Sequence, residues 1–228
     1  MTAPSEAVSL APPPHAAAVF GAALPVLERY CALLAGAGVE RGLIGPRETP
    51  RLWERHLLNC AGLAELLEPG QVVADVGSGA GLPGIVLSAM RPDVTVLLVE
   101  PLLRRATFLE EAVAELELRG AMVRRARAEE LKGKLLVDVV TARAVAPLDR
   151  LAGWSLPLLH PGGRLLALKG ERADSELASS GAALKAAGAA SASVVVVGEQ
   201  DAQTLGRVVV VVRDSSALPG SKKKKARR

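Results

Sequence analysis

Aromatic side chains are nearly absent from this 228-residue chain, which has two Trp, two Phe and one Tyr. Holding single-stranded nucleic acid by stacking bases on aromatic platforms needs more of them, so recognition of that kind is disfavoured. Cysteine is equally scarce. Cys31 and Cys60 form no C-x-x-C pair, and no histidine stands at metal-ligand spacing from either, so neither a disulfide framework nor a metal site is legible. Every apolar run is broken by charge, Pro or Gly before the roughly 18 residues that cross a bilayer. The first 14 residues, rich in Ala and Pro, lack the basic start and apolar stretch of a signal peptide. The expectation is a cytoplasmic protein with no membrane partner, opening on a disordered lead-in over residues 1–15.

Net positive charge is confined to one place. The formal net charge is +4, but residues 222–228 hold six Lys or Arg, and without them the chain carries −2. The basic character is largely that of the tail.

Three glycines at alternate positions, Gly77, Gly79 and Gly81, follow the apolar run that ends at Asp75 and lead into a helix-like segment. Such spacing suits a backbone that bends sharply and lies against a ligand, because a Cβ would block both the positive φ values and the close approach. Residues 79–84 also satisfy G-x-G-x-x-G, the dinucleotide pattern. A dinucleotide would set its pyrophosphate on this turn, where the charge of Asp75 opposes it. S-adenosylmethionine carries an ammonium and a sulfonium, and the acid favours it.

Beyond the loop, strand-like runs at 94–99, 121–126, 137–141 and 164–168 alternate with helical patterns at 102–118, 148–159 and 175–187. This alternation predicts a parallel sheet covered on both faces. Two β-branched runs, 193–197 and 207–212, are too close for a helix between them and predict an antiparallel hairpin. The fold class expected is therefore α/β, a seven-stranded, mostly parallel, Rossmann-like class I S-adenosylmethionine methyltransferase sheet. Helical segments at 16–35 and 51–67 precede it. The expected organisation is a helical cap over 16–68, a methyltransferase domain over 69–214 and a disordered basic tail over 215–228.

Ligands of open parallel sheets bind at the carboxyl ends of the strands. Glu100 ends the second strand, where its two oxygens can accept both ribose hydroxyls. Ala128 and Glu129 follow the third, where a small residue admits an adenine ring and an acid takes its amino group. Arg143 ends the fourth and offers a planar fork to a phosphate, a carboxylate or a guanine edge. The Asn-or-Asp, two-proline and aromatic grouping of exocyclic-amine methylation is missing here, and both cysteines lie in the N-terminal cap, against a cysteine nucleophile.

The chain resembles the bacterial small-subunit ribosomal RNA guanine methyltransferases, also called glucose-inhibited division protein B, over about residues 33–213. The resemblance rests on Arg55-His56-Leu57-Leu58-Asn59, on residues 75–84, on Arg127-Ala128-Glu129-Glu130, on residues 141–146 and on Ala167-Leu168-Lys169-Gly170. It implies methyl transfer from S-adenosylmethionine to nitrogen 7 of one guanosine in a decoding-region loop of 16S rRNA. By the same resemblance Gly77, Leu82, Ala128, Glu129 and Arg143 hold the methyl donor, with Gly79 and Glu100 added by the loop and strand-end arguments. Asn59 stands where many members have an acid, and Glu100 replaces the more usual Asp.

Nitrogen 7 has an in-plane lone pair and no proton, so no catalytic base and no metal are expected, and the site has only to align its reactants. Arg143 and Lys169 are the candidates for holding the nucleotide, and His56 on the cap is within reach of the same cleft. The expected partner is 16S rRNA or an assembling small subunit, met by a monomer. A small-molecule methyltransferase, which salt-insensitive turnover on metabolites would reveal, and a non-catalytic dinucleotide- or RNA-binding module, which calorimetry with S-adenosylmethionine against NADH separates, are the alternatives.

If the tail grips phosphates without reading bases, deleting residues 222–228 flattens the plot of log RNA affinity against log salt by about 0.7 to 0.9 for each phosphate it no longer neutralises. The modified guanosine stays the same. A full salt slope in the truncated protein would make the tail a mere solvated end.

Overall fold

The computed structural model describes residues 10–198 and 206–216. Residues 1–9 of the expected lead-in and 217–228 of the tail lie outside the described residues. The chain is already packed at Leu10, whose carbonyl accepts the Trp53 indole N–H at 2.7 Å.

Seven strands form one sheet in the order β3-β2-β1-β4-β5-β7-β6. They are β1 (Val72–Val76), β2 (Thr95–Val99), β3 (Ala121–Arg124), β4 (Val137–Arg143), β5 (Leu159–Lys169), β6 (Ala189–Val197) and β7 (Gly206–Arg213). The first five pair in parallel, and β7 inserts antiparallel between β5 and β6. Val73, Ala74, Val139, Val140, Leu165 and Leu166 are buried on alternate faces of the central strands, as a sheet covered on both sides requires. Strand β5 begins earlier than expected, at Leu159, because Pro161-Gly162-Gly163 is absorbed as an irregularity in the β4–β5 register.

Helices cover the two faces: α1 (Ala16–Phe20), α2 (Leu24–Leu33), α3 (Asn59–Ala61), α4 (Gly84–Met90) and α5 (Leu103–Glu115), then α6 (Leu148–Ser155) and α7 (Ala173–Ala186). Leu27, Tyr30, Leu34, Leu57 and Leu63 of the N-terminal region share one apolar core with Ile85, Leu98 and Phe108. On the other face, Leu148, Leu151, Leu156 and Leu184 pack on Val140, Leu165 and Val209.

The two long N-terminal helices expected from the pattern are broken. Gly21, at φ +49°, ends α1, and Pro25 opens α2 after a short 3-10 turn. The second is a series of tight and wide turns, 3-10 over Pro46–Arg51 and π over Leu52–Leu58, before α3. One departure concerns membranes: the helical stretch Ala16–Gly38 is long and apolar enough to span one, at a mean hydropathy of 1.5. Its Phe20, Leu27, Tyr30, Cys31 and Leu34 are instead spent on the core.

The connections after β1 run toward β3 and those after β4 run the other way, so the order reverses between β1 and β4. A crevice opens there at the strands' carboxyl ends. Helix α4 is pressed onto the sheet beside it, so closely that a Cβ on Gly84 would stand 2.3 Å from Leu98 Cδ2 and 2.7 Å from Asp75 Oδ2.

Gly84→Ala should therefore destabilise the fold by about 1 to 3 kcal/mol through overpacking, although Ala in a helix is ordinarily worth up to about 1 kcal/mol over Gly. Urea unfolding reads the sign, and a stabilised variant would mean that α4 can lift off the sheet.

Candidate functional site: a glycine loop at the sheet crevice

The glycine loop leaves β1 at the crevice. Gly77, Gly79 and Gly81 have φ values of +71°, +59° and +102°, which L side chains rarely adopt. The Gly77 and Ser78 amides both donate to the Val99 carbonyl, at 2.8 and 3.2 Å, tying the loop to the end of β2. From below, the Gly79 amide donates to Glu100 Oε2 at 3.0 Å, and Glu100 Oε1 accepts the Leu102 amide at 3.0 Å. From the cap, the Tyr30 hydroxyl donates to the Ala80 carbonyl at 2.7 Å. A Cβ on Gly77 would meet Val145 Cγ2 at 2.8 Å, whereas one on Gly79 would make only ordinary contact, with the Gly77 carbonyl oxygen at 3.8 Å.

Two cavities flank the loop and share Gly77 and Val145. The larger, about 370 Å³, is lined by residues 77–80, Leu82, Ile44, His56, Arg105 and Arg143. The smaller, about 180 Å³, is bounded by Val99, Pro101, residues 126–129 and Trp154. A third, of about 760 Å³, opens beside β4 and β5 between Arg55, Asn59, Arg143, Lys169 and Arg172.

Of the residues singled out from the sequence, Gly77, Gly79, Leu82, His56 and Arg143 thus line one cavity, Ala128 and Glu129 the second, and Arg143 and Lys169 the third. Glu100 lines none of them. It is only 2% exposed and its carboxylate is engaged by two backbone amides beneath the loop. Arg143 also differs from the open fork expected. Its Nη1 donates to the His56 carbonyl at 3.1 Å and to Cys60 Sγ at 3.4 Å. Its Nη2 donates to the Arg55 carbonyl at 3.1 Å and to His56 Nδ1 at 2.8 Å. Both terminal nitrogens are spent on the cap because the Leu52–Leu58 turn brings two carbonyls and an imidazole to the end of β4. Lys169 is likewise held, by the Ala146 carbonyl at 3.0 Å and Glu176 Oε2 at 2.7 Å.

Because Arg143 can only donate, His56 Nδ1 is the acceptor. Nε2 therefore carries the proton and donates to Glu48 Oε2 at 2.9 Å. Burial and the neighbouring Arg143 guanidinium push the imidazole pKa down, which keeps it neutral. Asp75 is fully buried; Oδ2 accepts the Gly84 amide at 3.1 Å and Oδ1 has no hydrogen-bond partner. Burial raises its pKa to about 7.

Several contributors escaped sequence reasoning. Val145 and Trp154 wall the smaller cavity, Tyr30 braces the loop, and Ala144 sits at φ +54° between Arg143 and Val145. A left-handed alanine has no sequence signature. Tyr30, as the lone tyrosine, could have been flagged for its hydroxyl, since a buried phenol needs a partner.

The glycine loop at the switch point, beneath a sheet whose only antiparallel member is β7, defines an S-adenosylmethionine-dependent methyltransferase of the class I fold. Solved structures agree on the fold: the methyltransferase SibL in its apo form (TM-score 0.58, 16% identity, covering 84% of this chain and 74% of that one), and an S-adenosylmethionine-dependent methyltransferase from Aquifex aeolicus (TM-score 0.54, 21% identity, 78% and 97% covered). The family model described as GidB, rRNA small subunit methyltransferase G, matches residues 23–205, and the chain belongs to that family. The chain is 64% identical over 159 residues to the ribosomal RNA small subunit methyltransferase G of Thermobifida fusca (strain YX), covering 70% of this chain and 67% of that one. It is 57% identical over 209 residues to the same-named protein of Streptomyces coelicolor, with 91% and 87% covered. It is an S-adenosylmethionine-dependent rRNA methyltransferase.

The residues present fit that donor. The two cavities on either side of the loop leave room, and the carboxyl groups of Asp75 and Glu100 lie beneath it, where a cationic ligand favours the ionised form of Asp75.

The raised pKa of Asp75 fixes the sign of its effect on stability. The folded state holds a proton that the unfolded chain has released, so stability falls as pH rises from about 4 to about 7, by an amount on the order of 4 kcal/mol, and levels off above. His56 acts oppositely: its depressed pKa contributes stability that is complete above about 6.5 and lost as pH falls below it. Asp75→Asn removes only the first effect. Its urea midpoint relative to the unsubstituted protein should climb between pH 4 and 7 and then stay constant; a pH-independent difference would mean that Asp75 ionises normally.

Proposed function

We propose that this chain transfers the methyl group of S-adenosylmethionine to nitrogen 7 of a guanosine in the decoding-region loop of 16S rRNA. The observation that carries the reading is the left-handed glycine loop standing between two joined cavities at the sheet's switch point, with a third, cation-lined cavity on its far side. Gly77, Gly79 and Leu82 bind the amino-acid half of the donor, and Ala128 and Glu129 bind the adenine. Glu100 serves the donor indirectly, by holding the loop from beneath. The guanosine enters the 760 Å³ cavity, where Lys169 and the remaining Nε–H of Arg143 meet it, and His56 keeps the Arg143 side chain in place.

When bound, the donor supplies a methyl carbon made electrophilic by its sulfonium. The chain's own task is to orient the guanine so that its lone pair meets that carbon in line and to exclude water; alignment of this kind is worth up to about 7 to 11 kcal/mol. No residue needs to take a proton. The domain reading goes with it: a lead-in over 1–15, a cap over 16–68 that closes one side of the cleft, a methyltransferase domain over 69–214 and a tail over 215–228. The protein acts as a monomer in the cytoplasm, with no membrane partner.

Gly79→Val places a β-branched side chain where the loop faces the cavity, at a φ that such a residue resists. It should fold, by circular dichroism, yet give no calorimetric heat with S-adenosylmethionine, while the unsubstituted protein binds it and ignores NADH. Binding by the variant as tight as the parent's would remove the loop from the site.

The single-turnover rate at saturating donor and RNA should be free of any base's ionisation between about pH 6 and 8.5. If an inflection near 7 arises from Asp75, Asp75→Asn abolishes it. An inflection that survives that substitution argues for an acceptor atom that must lose a proton.

A further inference from the structure

Four arginines crowd the carboxyl ends of β2 and β3, beside the smaller cavity and away from the guanosine-side one. Arg124 ends β3, its carbonyl accepting the Glu100 amide at 3.2 Å; Arg125 and Arg127 follow it; and Arg104 lies in the first turn of α5. All four are exposed and none makes an ion pair among the described residues. Other cations are paired, Arg41 with Glu111, Arg91 with Asp93 and Arg207 with Asp174, and on α5 itself Arg105 lies 3.8 Å from Glu100; what sets the four apart is that they stand together at one edge of the sheet. The acids nearest in sequence to Arg124, Arg125 and Arg127 are Glu129 and Glu130, and Glu130 is turned back to accept the Arg127 amide at 3.2 Å; Glu100, four residues before Arg104, is buried beneath the loop.

A second observation is independent of the missing ion pairs. Helix α5, 13 residues long, has Arg104 and Arg105 in its first turn and no acid there. Cations at a helix N-terminus oppose the macrodipole, at a few tenths of a kcal/mol or more each. Arg105 is answered by the buried Glu100 carboxylate at 3.8 Å, but the exposed Arg104 has no ion-pair partner among the described residues, and helix stability alone would favour an acid in its place. Leu102 and Leu103, 51% and 63% exposed, stand in the same ridge.

We infer that this ridge is a phosphate-binding surface for the rRNA flanking the methylated nucleotide. The inference rests on the rRNA reading above and extends it to a surface that the reading does not use. The sheet order puts β3 four strand spacings from β5, about 19 Å at roughly 4.8 Å each. An RNA whose guanosine occupies the cavity beside β4 and β5 thus runs across the carboxyl edge and over the donor loop to reach Arg124 and Arg125. Planar guanidinium forks match phosphate oxygens bidentately. The exposed leucines offer apolar contact to ribose or to an unstacked base, in a chain with few aromatics to do so. Arg127 lines the smaller cavity as well as the ridge, so RNA seated here covers the mouth of the donor site.

The test uses the Arg124→Ala/Arg125→Ala double variant, since neither side chain lines a cavity of the site, with Arg119→Ala as control. Arg119 is equally exposed but precedes β3, at its opposite end. Binding of a 16S rRNA fragment is measured across a salt series, donor binding by calorimetry, and turnover on the same RNA. The double variant should weaken RNA binding at low salt and reduce the log–log salt slope by about 1.4 to 1.8, at 0.7 to 0.9 per phosphate. Donor affinity and kcat at saturating RNA should stay unchanged while KM for RNA rises; the control should match the unsubstituted protein. An unchanged slope overturns the proposal, as does a defect confined to ribosomal particles, which would mark a protein contact. Failure of the unsubstituted protein itself to methylate the RNA would instead refute the underlying rRNA reading.

Discussion

The backbone of the loop after β1 must hold three left-handed residues within five positions, and the site depends on how that is done. Glycine makes the conformation accessible, but it also makes the unfolded loop freer, so the bend persists only because neighbours fasten it. The end of β2 takes two amides, Glu100 takes a third, and Tyr30 takes the Ala80 carbonyl from the opposite side. Val145 fills the space that a Cβ at Gly77 would need. The fastenings come from three separate stretches of chain, so the donor-binding surface assembles only when cap, β1, β2 and the end of β4 are all in place.

Charge is distributed to match. Two carboxylates, Asp75 and Glu100, lie buried under the loop, and the exposed cations lie around it. A negative underside favours a cationic donor, and a positive rim favours a polyanionic acceptor. The burial of Asp75 has its own cost: its carboxyl, with one unpaired oxygen, lies at the centre of the fold, where desolvation raises its pKa to about 7 and ionisation weakens the fold. A site that strains its own core in this way is consistent with function taking precedence over stability at that position.

The cap is fastened to the sheet through Arg143. Its guanidinium reaches from the end of β4 to two carbonyls, a thiol and an imidazole of the 55–60 segment, and His56 passes the chain of hydrogen bonds on to Glu48. Tying the wall of the cleft to the strand that ends in it leaves the orientation of Ala144 and Val145 dependent on the cap. It also leaves a cap residue, His56, whose protonation would break the Arg143 contact, since a doubly protonated imidazole has no acceptor to offer.

Much of this was legible in the order of residues. Strand-length apolar runs alternating with helix-period segments dictate a covered parallel sheet, because residues buried on both faces must be apolar throughout. Alternate glycines behind Asp75 dictate a bend against a ligand, because glycine adopts those dihedrals without the strain that a Cβ brings. The strand ends that line the cleft follow from the same pattern. What the order of residues left open are matters of contact between distant segments. Whether Arg143 faces RNA or the cap depends on which acceptors the 52–58 turn brings within hydrogen-bonding reach, and that turn's irregular winding has no local signature. Glu100 could be placed at a strand end from its number, but only packing shows its carboxylate sealed beneath the loop. Tyr30 and Val145 lie 47 residues before and 68 after Gly77, and their meeting at one bend is decided by the sheet that brings them there. Local dihedral preference and hydrophobic period are properties of short segments and can be read from them; desolvation and hydrogen-bond partnership belong to the folded interior and exist only once it has formed.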